Sequence, residues 1–431
     1  MNIPALGVQT NPEISPPNNA GLAAVALRYG LSSIGPLCIS AAHFIAAILF
    51  LRVFTRAEFG LFSFVLVIVP FCLSLSGALI GAPVAIAVRT SEVGARDLST
   101  YLQANLAFSA LAAMGIFSLL ELTRTDWNIA LLFGAYGGAM TLRWFARTLW
   151  YATSSASRVF VSDLVYGVVL LAGLFLAYLL RRLTPLGAAE ILLAAALAGL
   201  LSFGRSYLKL QFLVRRFTSL GGYRRIWLDL ARWSALGVVL TELTANAHAY
   251  LVTFLAGPAA FAPLALGALL VRPIQLVLAA VPDRERPVMA RLLAAGNYLG
   301  ARKIVNHFRM AAGAIWLATI TLSAVLLMWF PHLVLKKGYD PAQAMVVLAL
   351  FAAITAARSM RTPESVLLQA AGQFRALAGA SLWSCSVSLI ATLTLLLLAG
   401  PVSSLAGILA GELMMTSRVL ALSRHWMRSH V

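Results

Sequence analysis

Charge is what this sequence has least of. Asp, Glu, Lys and Arg make up 11% of its 431 residues, while 61% are hydrophobic. A soluble domain carries roughly 25% charged residues, so this chain cannot cover its apolar surface with a charged shell. A soluble enzyme and a disordered chain are both excluded. Cysteine is scarce as well. The three, Cys38, Cys72 and Cys385, lie inside apolar segments without CxxC spacing; they read as small hydrophobes, not as a disulfide framework or a zinc site. There are six histidines, none spaced as a metal ligand with a second one. No GxSxG, HExxH or GxxxxGKS/T motif occurs, which leaves no catalytic constellation, no metal site and no phosphate loop to argue from. No cofactor is expected, and the chain is not expected to be an enzyme.

What is present is length and apolarity: the mean hydropathy is +0.87. A bilayer is crossed by about 20 residues of helix. Apolar runs fall near 31–54, 60–88, 101–121, 129–150, 159–180, 187–204, 233–256, 261–281, 309–330, 343–360, 378–399 and 404–422. The fold class predicted is an all-α polytopic membrane protein of about 12 transmembrane helices. The formal net charge of +18 would suit nucleic acid, but the basic residues lie between the apolar runs. With both termini in the cytoplasm, about 25 of the 33 Lys and Arg fall on that side and about 7 (Arg52, Arg56, Arg124, Arg181, Arg182, Lys336, Lys337) outside, as the positive-inside rule demands. The partner read from the charge is therefore the lipid bilayer and not nucleic acid.

A faint repeat organises the chain. Leu51–Gly60 aligns with Thr253–Ala262 at an offset of about 202, and Ser157–Val161 with Phe374–Ala378 at about 217. The division predicted is a flexible N-terminus (1–28), a six-helix lobe (29–204), a basic linker (205–230), a second six-helix lobe (231–422) and a tail (423–431). Transporters built from such halves bind cargo near the midplane, often beside interrupted helices. Pro70 and Pro273 stand at matching places in the repeat, and proline interrupts a helix; both are candidate hinges.

Two turns carry a family likeness. Arg56-Ala57-Glu58-Phe59-Gly60, after the first apolar run, resembles the short acidic-aromatic-glycine turn of polysaccharide flippases, and Gly372-Gln373-Phe374-Arg375 is similar to a second recurring turn of that group. The resemblance is to the Wzx-type flippases of the multidrug/oligosaccharidyl-lipid/polysaccharide (MATE-like) superfamily. It implies two lobes, alternating access, the bacterial inner membrane, and an undecaprenyl-diphosphate-linked oligosaccharide as cargo for O-antigen, capsule or exopolysaccharide. Polysaccharide polymerase or export proteins would be the partners. The second-lobe counterpart of the first turn departs from the pattern, lacking the acidic residue and the glycine.

A diphosphate-linked sugar loses its water in hydrocarbon, so ionisable groups inside apolar runs are the candidate site; each costs roughly 2.5–3.5 kcal/mol at a helix centre. Arg272, beside Pro273 and Gln275, is the leading phosphate ligand; the alternative is a brace against Glu242 or Glu412. Glu242, Asn246, Ala249, Tyr250 and Thr253 share one helical face and line a cavity on this reading, with Glu242 as coupling carboxylate or counter-ion. Arg143 and Arg147, four apart, form a second candidate phosphate pair, or snorkel to the interface. His43 is a candidate proton acceptor or a satisfied core histidine, and Glu412 a coupling or ion-pair group. The rival functions are a MATE-type ion-coupled multidrug antiporter, favoured if carboxylates dominate the site, and an integral-membrane glycan polymerase or ligase, which would need a long outside loop.

Overall fold

The computed structural model describes residues 22–89, 95–153, 155–213, 220–336 and 338–430. Among these the regular structure is entirely helical. The order is α1 (Leu22–Val53), α2 (Arg56–Ser76), α3 (Ala82–Arg89), α4 (Ala95–Leu122), α5 (Trp127–Ala152), α6 (Ala156–Leu179), α7 (Pro185–Leu201), α8 (Arg205–Leu213) and α9 (Leu220–Ile226), then α10 (Arg232–Ala256), α11 (Pro258–Leu270), α12 (Arg272–Ala294), α13 (Tyr298–Trp329), α14 (Pro331–Val334), α15 (Pro341–Ala370), α16 (Phe374–Ala399) and α17 (Ser404–Arg428). Five-residue π-helical segments, Gly77–Gly81 and Trp227–Ala231, join α2 to α3 and α9 to α10.

Each of the twelve apolar runs meets a helix. Among the described residues, nine helices are long and apolar enough to cross a bilayer, and two bent pairs raise the number to eleven. The remaining run is α1, whose segment Cys38–Val53 is a shorter apolar helix. Large apolar side chains such as Leu122, Ile390 and Leu398 are exposed, a surface that suits hydrocarbon and not water.

The helix ends follow from local chemistry. Asp126 accepts from the Asn128 amide at 2.9 Å and so starts α5. Thr184 accepts from the Gly187 amide at 3.1 Å with Pro185 in the first turn of α7. Asp340 caps α15 ahead of Pro341 in the same way; side-chain oxygens answer orphan amides and proline needs none.

Backbone contacts divide the chain into two units: the chain up to Ala46 with Ile68–Val238, and Ala47–Val67 with Val239–Val431. This departs from the sequence expectation at several places. The hairpin between α1 and α2 groups with the second unit. Of the expected linker over 205–230, residues 214–219 lie outside those described, and α8 packs into the first unit: Gln211 is buried, donates to the Leu102 carbonyl at 3.0 Å and accepts from Asn105 at 3.3 Å. The expected tail is the last part of α17, which runs helically to Arg428. Of the expected flexible N-terminus, residues 22–28 are already helical, and residues 1–21 lie outside those described, as does Lys337.

Within the second unit, the α1–α2 turn is held by a capping box. The Thr55 amide donates to Glu58 Oε2 at 2.7 Å and the Glu58 amide to Thr55 Oγ1 at 3.3 Å. Lys336 Nζ donates to the Val53 and Phe54 carbonyls at 2.9 and 2.8 Å. The Arg56 guanidinium lies 4.8 Å from the Tyr339 ring centre; burial pushes the Tyr339 hydroxyl up to about 12 although Arg56 opposes it. Gly60 meets the N-terminus of α11 so closely that a Cβ there would lie 1.8 Å from the Pro258 carbonyl oxygen. The glycine of the acidic-aromatic-glycine turn thus permits a backbone contact, and its acid builds a cap. The second-lobe turn begins α11 with Pro258 in the first turn instead of a capping box, which accounts for its missing acid.

Candidate functional site

The first unit buries a network around one carboxylate. α5 presents Arg143 and Arg147 one turn apart, and α6 presents Asp163. Arg143 Nη2 donates to Asp163 Oδ1 at 2.5 Å and Arg147 Nη2 to Oδ2 at 2.9 Å. Arg143 Nε donates to Ser162 Oγ at 3.0 Å, and Ser162 donates in turn to the Gly199 carbonyl on α7 at 2.7 Å. The Arg143 guanidinium lies 4.7 Å from the Tyr166 ring centre. Tyr166 shares a 3.1 Å hydrogen bond with Tyr136 and a 2.8 Å one with His43 Nε2 on α1. Arg143 and Asp163 are wholly buried and Arg147 nearly so. Snorkelling is therefore corrected for this pair: both guanidiniums turn inward to an internal carboxylate. A buried charge is tolerated when it is paired and hydrogen-bonded, and two cations on one anion leave the trio one positive charge in excess.

The second unit repeats the device with the acid moved. Arg358 Nε on α15 donates to Glu412 Oε1 at 2.7 Å and Arg361 Nε to Oε2 at 2.9 Å. Ser384 on α16 donates to the Gly411 carbonyl on α17 at 2.8 Å, the counterpart of Ser162 on Gly199. Counting from that shared bond, Asp163 follows the serine in the first unit, whereas Glu412 follows the glycine in the second. Two arginines of the fourth long helix thus grip one acid in each unit, offered by the fifth helix in one and by the sixth in the other.

Arg272 belongs to no such group. It is the first residue of α12, immediately beyond a 61° break between α11 and α12. Pro273 stands in the first turn after that break, which is where the repeat expectation wanted an interruption. Pro70 does not share the role: it lies inside α2, and the irregularity on that span is the π-helical Gly77–Gly81. Glu412 is taken by Arg358 and Arg361, and Glu242 accepts from the Tyr250 hydroxyl at 2.8 Å and from Asn246. The brace between Arg272 and Glu242 or Glu412 is therefore absent, and among the described residues the half-buried Arg272 has neither ion pair nor hydrogen bond on its guanidinium. Gln275 lies one turn further along α12, half-buried.

The α10 residues that spacing sets on one face, Glu242, Asn246, Tyr250 and Thr253, all lie within this helix. Tyr250, Asn246 and Glu242 meet through hydrogen bonds, while Thr253 is buried with an unpartnered hydroxyl. His248 lies off this face, between the Phe261 and Phe351 rings at 6.2 and 6.0 Å.

Sequence reasoning missed Asp163, Arg358 and Arg361. Asp163 had a signal: it is a lone acid within the run 159–180, and such a residue needs a partner. Arg358 and Arg361 stand at the end of an apolar run, where basic residues are ordinary, so spacing alone gave no reason to single them out.

No known protein family matches the sequence, and no curated protein sequence matches it. Solved structures do. An inward-facing multidrug resistance MATE family transporter of the MOP superfamily is 14% identical over 92% of this chain and 98% of its own, with a TM-score of 0.65. The lipid II flippase MurJ, in an inward closed conformation, is 12% identical over 91% and 87%, with a TM-score of 0.67. The Vibrio cholerae MATE transporter VcmN is 15% identical over 94% and 96%, with a TM-score of 0.61. At this identity the likeness speaks for the fold: the chain is an all-helical, multi-pass membrane protein with the fold shared by MATE transporters and the lipid II flippase MurJ.

Proposed function

We propose that this chain is a flippase of the bacterial inner membrane that moves undecaprenyl-diphosphate-linked oligosaccharide repeat units for O-antigen, capsule or exopolysaccharide by alternating access. One observation carries the reading. Four arginines, Arg143, Arg147, Arg358 and Arg361, are engaged by carboxylates, while Arg272, at a helix break, has no ion pair among the described residues. An unpaired guanidinium within a membrane segment is expensive and marks function, and its planar fork suits a phosphate oxygen pair. Asn246, Tyr250 and Gln275 are the polar groups proposed to meet the sugar. The basic bias of the loops supports a cytoplasmic position for both termini. Energy would come from an ion gradient or from removal of product by a polymerase or export protein, since the sequence has no phosphate loop.

The experiment is deletion of the gene, followed by assay of lipid-linked repeat units on the cytoplasmic leaflet. Accumulation that wild type relieves and Arg272→Ala does not, at equal membrane abundance, is the expected result. Unchanged glycan lipids together with altered dye tolerance would overturn it in favour of an ion-coupled multidrug antiporter. That second reading is favoured by Glu242, a carboxylate held by hydrogen bonds from Tyr250 and Asn246.

A further inference from the structure

One end of the second unit gathers a different charge cluster. The sequence over 286–309 and 413–431 contains Arg286, Arg291, Arg302, Lys303, Arg309, Arg418, Arg424 and Arg428 and no Asp or Glu. The fold brings these two stretches together: the Tyr298 ring lies 6.0 Å from that of Trp426 and 5.4 Å from that of His430. An acid from elsewhere, Glu364 near the end of α15, enters between them.

Glu364 is buried, and its two oxygens are fully used. Arg302 Nη1 donates to both, at 2.8 and 3.0 Å, Arg309 Nη2 donates to Oε1, and Ser423 on α17 donates to Oε2 at 2.5 Å. The arginines are not used up. Each bonds through one terminal nitrogen, and a guanidinium has five N–H donors. Their side chains are 35% and 34% exposed, against 2% for Glu364. They stand seven residues apart on one face of α13, steered side by side by a shared oxygen, with one positive charge in excess. Exposed Lys303 and Arg424 sit one residue along from Arg302 and Ser423.

This differs from both deep trios. There the arginines are buried in the first unit and only 18% and 21% exposed in the second; here the carboxylate is behind and the more exposed guanidinium edges are in front. Such an edge presents parallel N–H donors that match phosphate oxygens, and basic pockets between helices at a membrane face take lipid phosphates.

We propose that Arg302 and Arg309, positioned by Glu364, form a binding site for a lipid-borne phosphate at this end of the second unit. The site is separate from Arg272 and does not depend on the cargo proposed above. The phosphate belongs either to an anionic phospholipid headgroup or to a diphosphate-linked lipid.

The test uses the full-length protein purified in a zwitterionic detergent. Binding of short-chain phosphatidylglycerol, of short-chain phosphatidylcholine and of inorganic pyrophosphate is measured at matched ionic strength. The expected result is preference for an anionic ligand over phosphatidylcholine, weakened tenfold or more by Arg302→Gln with Arg309→Gln. Glu364→Gln, which removes the competing negative charge but keeps a side-chain oxygen to accept from the two guanidiniums, should bind as well as wild type or better; a purely structural brace would not separate these variants. The triple variant Arg302→Gln/Arg309→Gln/Glu364→Gln has no orphaned carboxylate and guards against misfolding; it should lose binding equally. Phosphatidylglycerol binding identifies a phospholipid headgroup as the source, and pyrophosphate binding alone identifies a diphosphate. Equal affinity of wild type and the arginine variants, or no preference over phosphatidylcholine, would overturn the site.

Discussion

Arg143 passes through the space that a side chain at position 199 would occupy: a Cβ on Gly199 would lie 2.6 Å from Arg143 Nε and 3.2 Å from the Ser162 carbonyl oxygen. The glycine on α7 is therefore part of the buried ion pair although it bears no charge. Gly199→Ala should push the guanidinium off Ser162 and strain Asp163, costing about 3 kcal/mol through overpacking and a weakened buried pair. Gly115 on α4 has open space around it, so Gly115→Ala should be neutral or gain up to about 1 kcal/mol of helix propensity. Thermal unfolding of the two purified variants in detergent checks this; equal midpoints would refute it.

The carboxylates are the centres of the two deep trios. Asp163→Asn would leave two buried guanidiniums without a counter-charge, a loss of about 3–5 kcal/mol, and Glu412→Gln would leave two partly exposed ones, a smaller loss. Arg147→Gln should be milder, because the Arg143–Asp163 pair it leaves behind is neutral and still hydrogen-bonded to Ser162. The ranking is read from unfolding midpoints or from the yield of monodisperse protein. An Arg147 variant as damaged as the Asp163 variant would show that the trio is not organised by its acid.

Arg272 should behave in the opposite sense. With no partner acid among the described residues, Arg272→Leu removes a cation from a membrane segment and should leave stability unchanged or raise it by about 1 kcal/mol, while transport is lost. The pairing of a stability measurement with the glycan-lipid assay separates a cargo ligand from a brace. A fall in stability matching that of Glu412→Gln would mean that Arg272 has an internal partner after all.

At the α1–α2 turn, two substitutions should differ sharply. Glu58→Ala opens an exposed capping box and should cost about 1 kcal/mol. Gly60→Ala sets a methyl group against the Pro258 carbonyl, and since backbone cannot rotate away as a side chain can, a larger loss of about 3 kcal/mol is expected. Comparison of their unfolding midpoints decides. A Gly60 variant as stable as wild type would show that the hairpin does not hold this contact.

The sequence alone determined the membrane class, the twelve helical segments and their approximate limits, because each follows from local hydropathy and from caps that act within one turn. It also singled out Arg272 beside Pro273, since an arginine next to a proline inside an apolar run is conspicuous without any structure. Tertiary packing decided which charges are satisfied. Arg143 and Arg147 were a second candidate behind Arg272, and are an internal pair because α6 brings Asp163 and α7 supplies a glycine across sixteen and more residues of chain. Arg302, Arg309 and Glu364 are separated by 62 and 55 residues, and no periodicity links them. A charge in hydrocarbon must find its counter-charge or its ligand, and the counter-charge comes from another helix, so the sequence can name the ionisable groups while only the fold can say which of them remain free.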